Sequence, residues 1–222
     1  MSNRETRGSV FVCNECGYRA VRWEGRCPGC EEWGTLEVAV SSNRIRPRGT
    51  WLPGAAQPMQ ELKTIEIDDG ERLSLSYGEI NRVLGGGLVP GSVALLAGEP
   101  GIGKSTMLLQ VAQSVALNYG KVLYISGEES PQQLRLRSER LGISGEGILV
   151  LCETDLDTIL GKLEEVRPSL AVVDSIQTME YSEVETHPGS IAQIRENTRL
   201  LMQRAKASRV TLILAGHVTK DG

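Results

Sequence analysis

The sequence predicts an α/β fold, a mostly parallel sheet flanked by helices, preceded by a small four-cysteine zinc ribbon. Three observations predict it. Short apolar runs alternate with stretches of helical periodicity from about residue 62 onward. A glycine-rich loop stands between the first of these runs and the first helix, and four of the five cysteines fall within eighteen residues near the N-terminus.

The apolar runs are 91–97 (GSVALLA), 121–126 (KVLYIS), 147–151 (GILVL), 170–174 (LAVVD) and 210–215 (VTLILA). Runs that are apolar throughout and separated by helices belong to parallel sheets covered on both faces. Helical patterns occupy 104–118, ending near Gly120, and 131–141, which opens with proline at a first-turn position. A third occupies 154–166 and stops before Pro168; in the fourth, 190–208, Ile191, Ile194, Leu201 and Ala205 share a face. Residues 41–60 hold three prolines and two glycines without apolar periodicity and read as a linker, with Trp51 a docking point. The expected division is therefore 1–40 zinc finger, 41–61 linker and 62–222 nucleotide-binding domain.

Composition bounds the function. With 40% hydrophobic and 23% charged residues the 222-residue chain can bury a core, which excludes a largely disordered protein. No apolar run approaches the ~20 residues of a membrane span. The start MSNRETRGSV lacks a secretory hydrophobic region, so a cytoplasmic location and no membrane partner are expected. The 25 glycines suggest backbone-mediated binding or many tight turns. Charge divides unevenly: residues 1–50 hold eight arginines against six acids, and residues 51–222 hold sixteen bases against twenty-two acids. This split fits either different partners for the two parts, an anionic one for the first, or a plain solvated surface, and charge alone does not decide between them.

Cys13, Cys16, Cys27 and Cys30 read CNEC, ten residues, then CPGC. Thiolates two residues apart on a tight turn converge on one cation, and two such knuckles complete a tetrahedral sulfur shell. The expected ion is Zn²⁺ in a structural site, with iron–sulfur or redox chemistry as the alternative; disulfides are disfavoured in an unexported chain. Metal binding would supply the folding free energy of so small a segment. Arg19, Arg22 and Arg26, with Trp23 among them, either engage phosphates and bases or form a solvated finger with Trp23 and Trp33 on the knuckles. Cys152 stands alone in an apolar run and reads as an inert buried residue.

Gly98, Glu99, Pro100, Gly101, Ile102, Gly103, Lys104, Ser105 and Thr106 fit the phosphate-loop pattern GxxxxGK[ST] in its strand–loop–helix context. Glycines let successive amides turn inward around phosphate oxygens, and the helix start adds its positive dipole end. Lys104 then reaches the β- and γ-phosphates of ATP, and Ser105 offers a hydroxyl to Mg²⁺. Asp174, at the carboxyl end of an apolar strand, suits the Mg²⁺ water shell. Glu128 and Glu129 end the strand after the loop's helix; Glu128 is expected to polarise the attacking water, with Glu129 supporting it or meeting a neighbouring subunit. His217 follows the last run, where a polar side chain senses the γ-phosphate.

Together these residues resemble the bacterial RadA (Sms) family of DNA-repair ATPases. The resemblance is carried by the cysteine finger, RVLGGGLVPG (82–91), GEPGIGKST (98–106), SGEES (126–130), VDSIQT (173–178) and GHVTK (216–220). It implies a RecA-like P-loop core that hydrolyses ATP between subunits of a hexameric ring. It further implies binding of single-stranded or branched DNA, branch migration of recombination intermediates, and partnership with the RecA recombinase. Glu128 matches the family's catalytic glutamate and His217 its γ-phosphate sensor. Asn81 stands where the family usually has Asp. Family members continue beyond GHVTK into further strands, a KNRFG motif and a Lon-protease-like domain, so the ATPase core is expected to be incomplete at the C-terminus. Two alternatives stand beside this: a nucleotide- and zinc-binding module with little turnover, and a nucleotide kinase, whose cysteines usually follow the phosphate loop.

Overall fold

The computed structural model describes residues 10–39, 59–64 and 72–218. The expected linker falls outside these residues except for its last three, and Trp51 and Lys220 lie outside them too. The N-terminal unit is a three-stranded antiparallel sheet of β1 (Val10–Cys13), β2 (Arg19–Ala20) and β3 (Leu36–Ala39) in the order β2-β1-β3.

The larger unit begins with α1 (Gly78–Val83), β4 (Val93–Gly98), α2 (Lys104–Tyr119) and β5 (Val122–Ser126). It continues through α3 (Pro131–Arg140), β6 (Ile148–Cys152), α4 (Leu156–Val166), β7 (Leu170–Asp174), α5 (Ile191–Ser208) and β8 (Thr211–His217). Five strands form one parallel sheet in the order β4-β8-β7-β5-β6. The alternating apolar runs thus become an α/β sheet, as the sequence predicts.

Side chains alternate across the sheet and feed two cores. Val122, Tyr124, Leu170, Val172 and Ile213 join Leu108, Val111, Ala112 and Val115 of α2 on one face. Leu123, Ile125, Ala171, Val173 and Leu212 join Ile159 and Leu163 of α4 and Leu201 and Ala205 of α5 on the other. Each buried valine, leucine or isoleucine among them contributes about 1.5–3 kcal/mol. The central strands β5 and β7 are buried at every residue, whereas the edge strands are not: Leu95 of β4 is 66% exposed and Val150 of β6 44%. Cys152, expected to be buried, is exposed because it ends the edge strand β6. On α5, Ile191 is exposed although it shares the apolar face, while Gln193 and Asn197 are buried. Gln193 binds the backbone of Tyr181, Val184 and Thr186, so it clamps the segment between β7 and α5.

Helix starts differ in a way that matters for the site. Ser130 caps α3 in a reciprocal capping box with Gln133, Asp155 caps α4 and Ser190 caps α5. Helix α2 starts from Gly103 in the left-handed conformation (φ 100°), with no side chain bonded to its first amides. Its N–H groups therefore face the loop unclaimed by any cap. Among the described residues no helix is long and apolar enough to cross a membrane.

Candidate functional site

The cysteines converge. The Sγ atoms of Cys13, Cys16, Cys27 and Cys30 all lie within 4.8 Å of one another. Cys13 and Cys30 approach to 3.6 Å and Cys16 and Cys27 to 3.5 Å, distances of thiols sharing a site rather than bonded disulfides. Cys16 N–H donates to the Cys13 sulfur at 3.5 Å and Gly29 N–H to the Cys27 sulfur at 3.3 Å, the amide support expected of zinc knuckles. A Cβ on Gly29 would meet Cys16 Sγ at 3.1 Å and Tyr18 Cβ at 3.0 Å, so glycine is what lets the second knuckle close on the first. Burial works to raise the Cys13 thiol, yet the Thr35 hydroxyl and nearby amides outweigh it and bring it down to about 6. Burial pushes the Cys16 thiol up to about 12. Four sulfurs gathered in one small space fit a shared cation that replaces their protons.

The ribbon surface is less basic than the charge split suggests. Residues 10–39 hold three arginines and five glutamates, and five of the eight arginines of residues 1–50 lie outside the described part. Arg26 is turned onto Glu31, at 2.5 Å to the carboxylate and 2.6 Å to the carbonyl. Trp23 and Trp33 both approach Gly25 and stay 59% and 75% exposed.

The second constellation sits at the carboxyl ends of β4, β5, β7 and β8, where open parallel sheets bind ligands. β4 delivers the phosphate loop to α2, and its residues 99–103 are exposed. Lys104 is 7% exposed, and its Nζ donates to Gly98 O at 2.8 Å and Glu99 O at 2.9 Å. It also lies 3.1 Å from His217 Nδ1. An ammonium only donates, so Nδ1 accepts and the ring proton sits on Nε2, 3.3 Å from Glu128 Oε1. His217 is the last residue of β8 rather than a residue beyond it, and its carbonyl accepts a bond from Gln177 at 3.2 Å.

Asp174 ends β7 at 8% exposure and accepts the Tyr124 hydroxyl at 2.7 Å. Ser175, the next residue, donates its hydroxyl to Glu128 Oε1 at 2.8 Å. Lys104, His217, Glu128 and Ser175 thus form one hydrogen-bonded line, with Asp174 adjoining it through the chain. Ser105 and Thr106, half-buried, open α2 beside that line. Glu129 takes no part in it: its carboxylate pairs with Arg137 of α3, a partner within its own chain. Ser175, Tyr124, Gln177 and Arg137 are not singled out by the sequence; the available signals were a hydroxyl directly after Asp174 and a lone tyrosine between the aliphatic residues of β5.

An AAA domain family model matches residues 58–222, and a rubredoxin metal binding domain model matches residues 11–37. The chain is 44% identical over 225 residues to the DNA repair protein RadA of Halalkalibacterium halodurans, covering 100% of this chain and 48% of that protein. It is 44% identical over 217 residues to that of Bacillus subtilis (96% and 47%) and 43% over 219 residues to that of Listeria monocytogenes (97% and 47%). The chain spans about half the length of these curated relatives.

Proposed function

The chain belongs to the AAA domain family and carries a metal-binding ribbon ahead of that domain, and on this premise we propose that it is a DNA-repair ATPase. The observation that carries the reading is the line Lys104–His217–Glu128–Ser175, which runs from the phosphate loop to the carboxylate placed to handle water. The uncapped start of α2 and the loop amides hold the phosphates of ATP. Lys104 leaves the carbonyls of Gly98 and Glu99 for the β- and γ-phosphates. Ser105 and Asp174 would hold Mg²⁺ and its water shell, and the ion would supply neutralisation of charge on the phosphate oxygens. Glu128 orients water in line with the γ-phosphorus and accepts its proton as the bond to the leaving ADP breaks. His217 touches both Lys104 and Glu128, so occupancy of the loop is felt at the base and at the segment after β8.

The similarity to RadA supports single-stranded or branched DNA as the effector, with RecA as partner, branch migration as the task, and a hexameric ring in the cytoplasm as the setting. The DNA contact falls to the arginine surplus flanking the ribbon, Arg4, Arg7, Arg44, Arg46 and Arg48, because the ribbon itself carries more glutamates than arginines. Zinc in the four-cysteine ribbon is structural: its sulfur shell leaves no open position for substrate.

The test is phosphate release with and without single-stranded DNA. Lys104→Ala is expected to lose nucleotide binding and turnover together. Glu128→Gln is expected to keep binding and lose about a hundredfold or more in turnover. Nucleotide binding with no turnover in the wild type overturns the ATPase reading, and undiminished turnover in Glu128→Gln overturns the assignment of the base.

A further inference from the structure

Tyr124 stands out in β5 because nothing apolar asks for its hydroxyl. It is fully buried, the largest such side chain among the described residues, with Leu123 and Ile125 on either side. β5 and β7 pair so that Tyr124 lies opposite Val172 and Ser126 opposite Asp174. Residues two apart share a face, so Tyr124, Val172 and Asp174 all point toward α2. The ring occupies the core with Val172 and Leu108, and its hydroxyl reaches diagonally to Asp174 Oδ2 at 2.7 Å. Phenylalanine would fill the same core, and a buried hydroxyl is unfavourable unless it is bonded. The bond to Asp174 is what the tyrosine adds.

Its consequence lies in what the bond leaves over. Asp174 has two oxygens; Oδ2 is taken, and Oδ1 accepts no bond from the protein among the described residues. A carboxylate oxygen only accepts, so the phenol is the donor in this bond. A hydrogen bond on one oxygen restrains the carboxylate from turning about its Cβ–Cγ bond and so biases the direction of the other oxygen. Partners of this second tier orient metal-holding carboxylates and tune their basicity.

We propose that Tyr124 is a positioning residue for the divalent cation of the nucleotide site, holding Asp174 by Oδ2 so that Oδ1 faces the water shell of Mg²⁺. The inference rests on the assignment of Asp174 made above and adds to it a residue from the neighbouring strand.

The experiment measures the affinity of a fluorescent ADP analogue across Mg²⁺ concentrations, with an EDTA arm. In Tyr124→Phe, affinity in EDTA is expected to match the wild type, while the Mg²⁺ concentration giving half of the metal-dependent gain rises about tenfold. 4-Aminophenylalanine at 124, which restores a donor, is expected to return the curve toward wild type. If the Phe variant does not fold, 4-fluorophenylalanine fills the hydroxyl's space without a proton and carries the same expectation. A non-donor variant whose Mg²⁺ curve superimposes on the wild type overturns the proposal. Asp174→Asn separates the two failures. If it loses the Mg²⁺ dependence while Tyr124→Phe keeps it, only the tyrosine's role falls. If it keeps the Mg²⁺ dependence, the metal assignment of Asp174 falls, and the proposal with it.

Discussion

Asn81 of α1 grips the backbone of one residue through the two peptide units that flank it: Leu75 N–H donates to its Oδ1 at 2.8 Å, and its Nδ2 donates to Leu75 O at 2.6 Å. A second proton of the amide reaches Ser74 Oγ at 3.3 Å. An aspartate, the residue usual in the resembled family, can take the first bond but has no proton for the other two. Asn81→Asp therefore leaves the Leu75 carbonyl facing a carboxylate, at a cost of roughly 1–3 kcal/mol. Calorimetry is expected to show a lower Tm, and equal stability would mean that the paired amide contributes nothing. The same logic sets what was legible in the site. Lys104, Ser105 and Asp174 announce themselves because a phosphate loop and its acidic strand end are each encoded in one short stretch. Glu128, just past the end of β5, is legible from its place after the strand, whereas His217 takes its role mainly from the family resemblance. Ser175 and Tyr124 do not, because their partners lie 47 and 50 residues away and meet them only through the pairing of β5 with β7.

At the scale of elements, long runs translate well and their ends do not. The 154–166 pattern becomes α4 from Leu156, because Asp155 caps the helix and Glu153 accepts the N–H groups of Thr154 and Asp155 just before it. The 210–215 run extends as far as His217, because pairing with β4 continues through Gly98 opposite His217. Short α1 and the ribbon strands have too few residues to show a period. The Asp155 cap gives a prediction with a sign. The Thr158 side chain first, and the Thr158 amide second, hold this carboxyl below its ordinary range. Such a group stabilises fully above the unfolded value of ~3.9, and its contribution is lost as pH falls through the lower folded value. Asp155→Ala is expected to lower stability by about 1 kcal/mol at neutral pH. Denaturant titrations of the two proteins are expected to converge in acid, below the carboxylate range. A gap of unchanged size there would show that the charge on the cap is irrelevant to α4.

Across the whole molecule, the described residues form separate cores. Cys13, Ala20, Cys27 and Leu36 make the small one, and no residue of it belongs to either cluster flanking the five-stranded sheet. Where the ribbon comes near the β7–α5 segment, Glu15 and Glu37 line a cleft with Glu180 and Glu185. Below about 40 residues a unit usually needs metal or disulfides to fold, so zinc is expected to hold the ribbon and to be irrelevant to the sheet. The sequence supplies its own reporter: Trp23, Trp33 and Trp51 all precede the larger unit, which contains no tryptophan. A chelator strong enough to strip zinc is expected to collapse the tryptophan anisotropy and the near-ultraviolet signal of the ribbon. In the same sample the thermal midpoint of the helical signal and the affinity for nucleotide stay where they were, and returned zinc restores the tryptophan signal. A midpoint that falls with the tryptophan signal would mean that the cores are coupled across that acidic cleft, and that zinc reaches the ATP site through it.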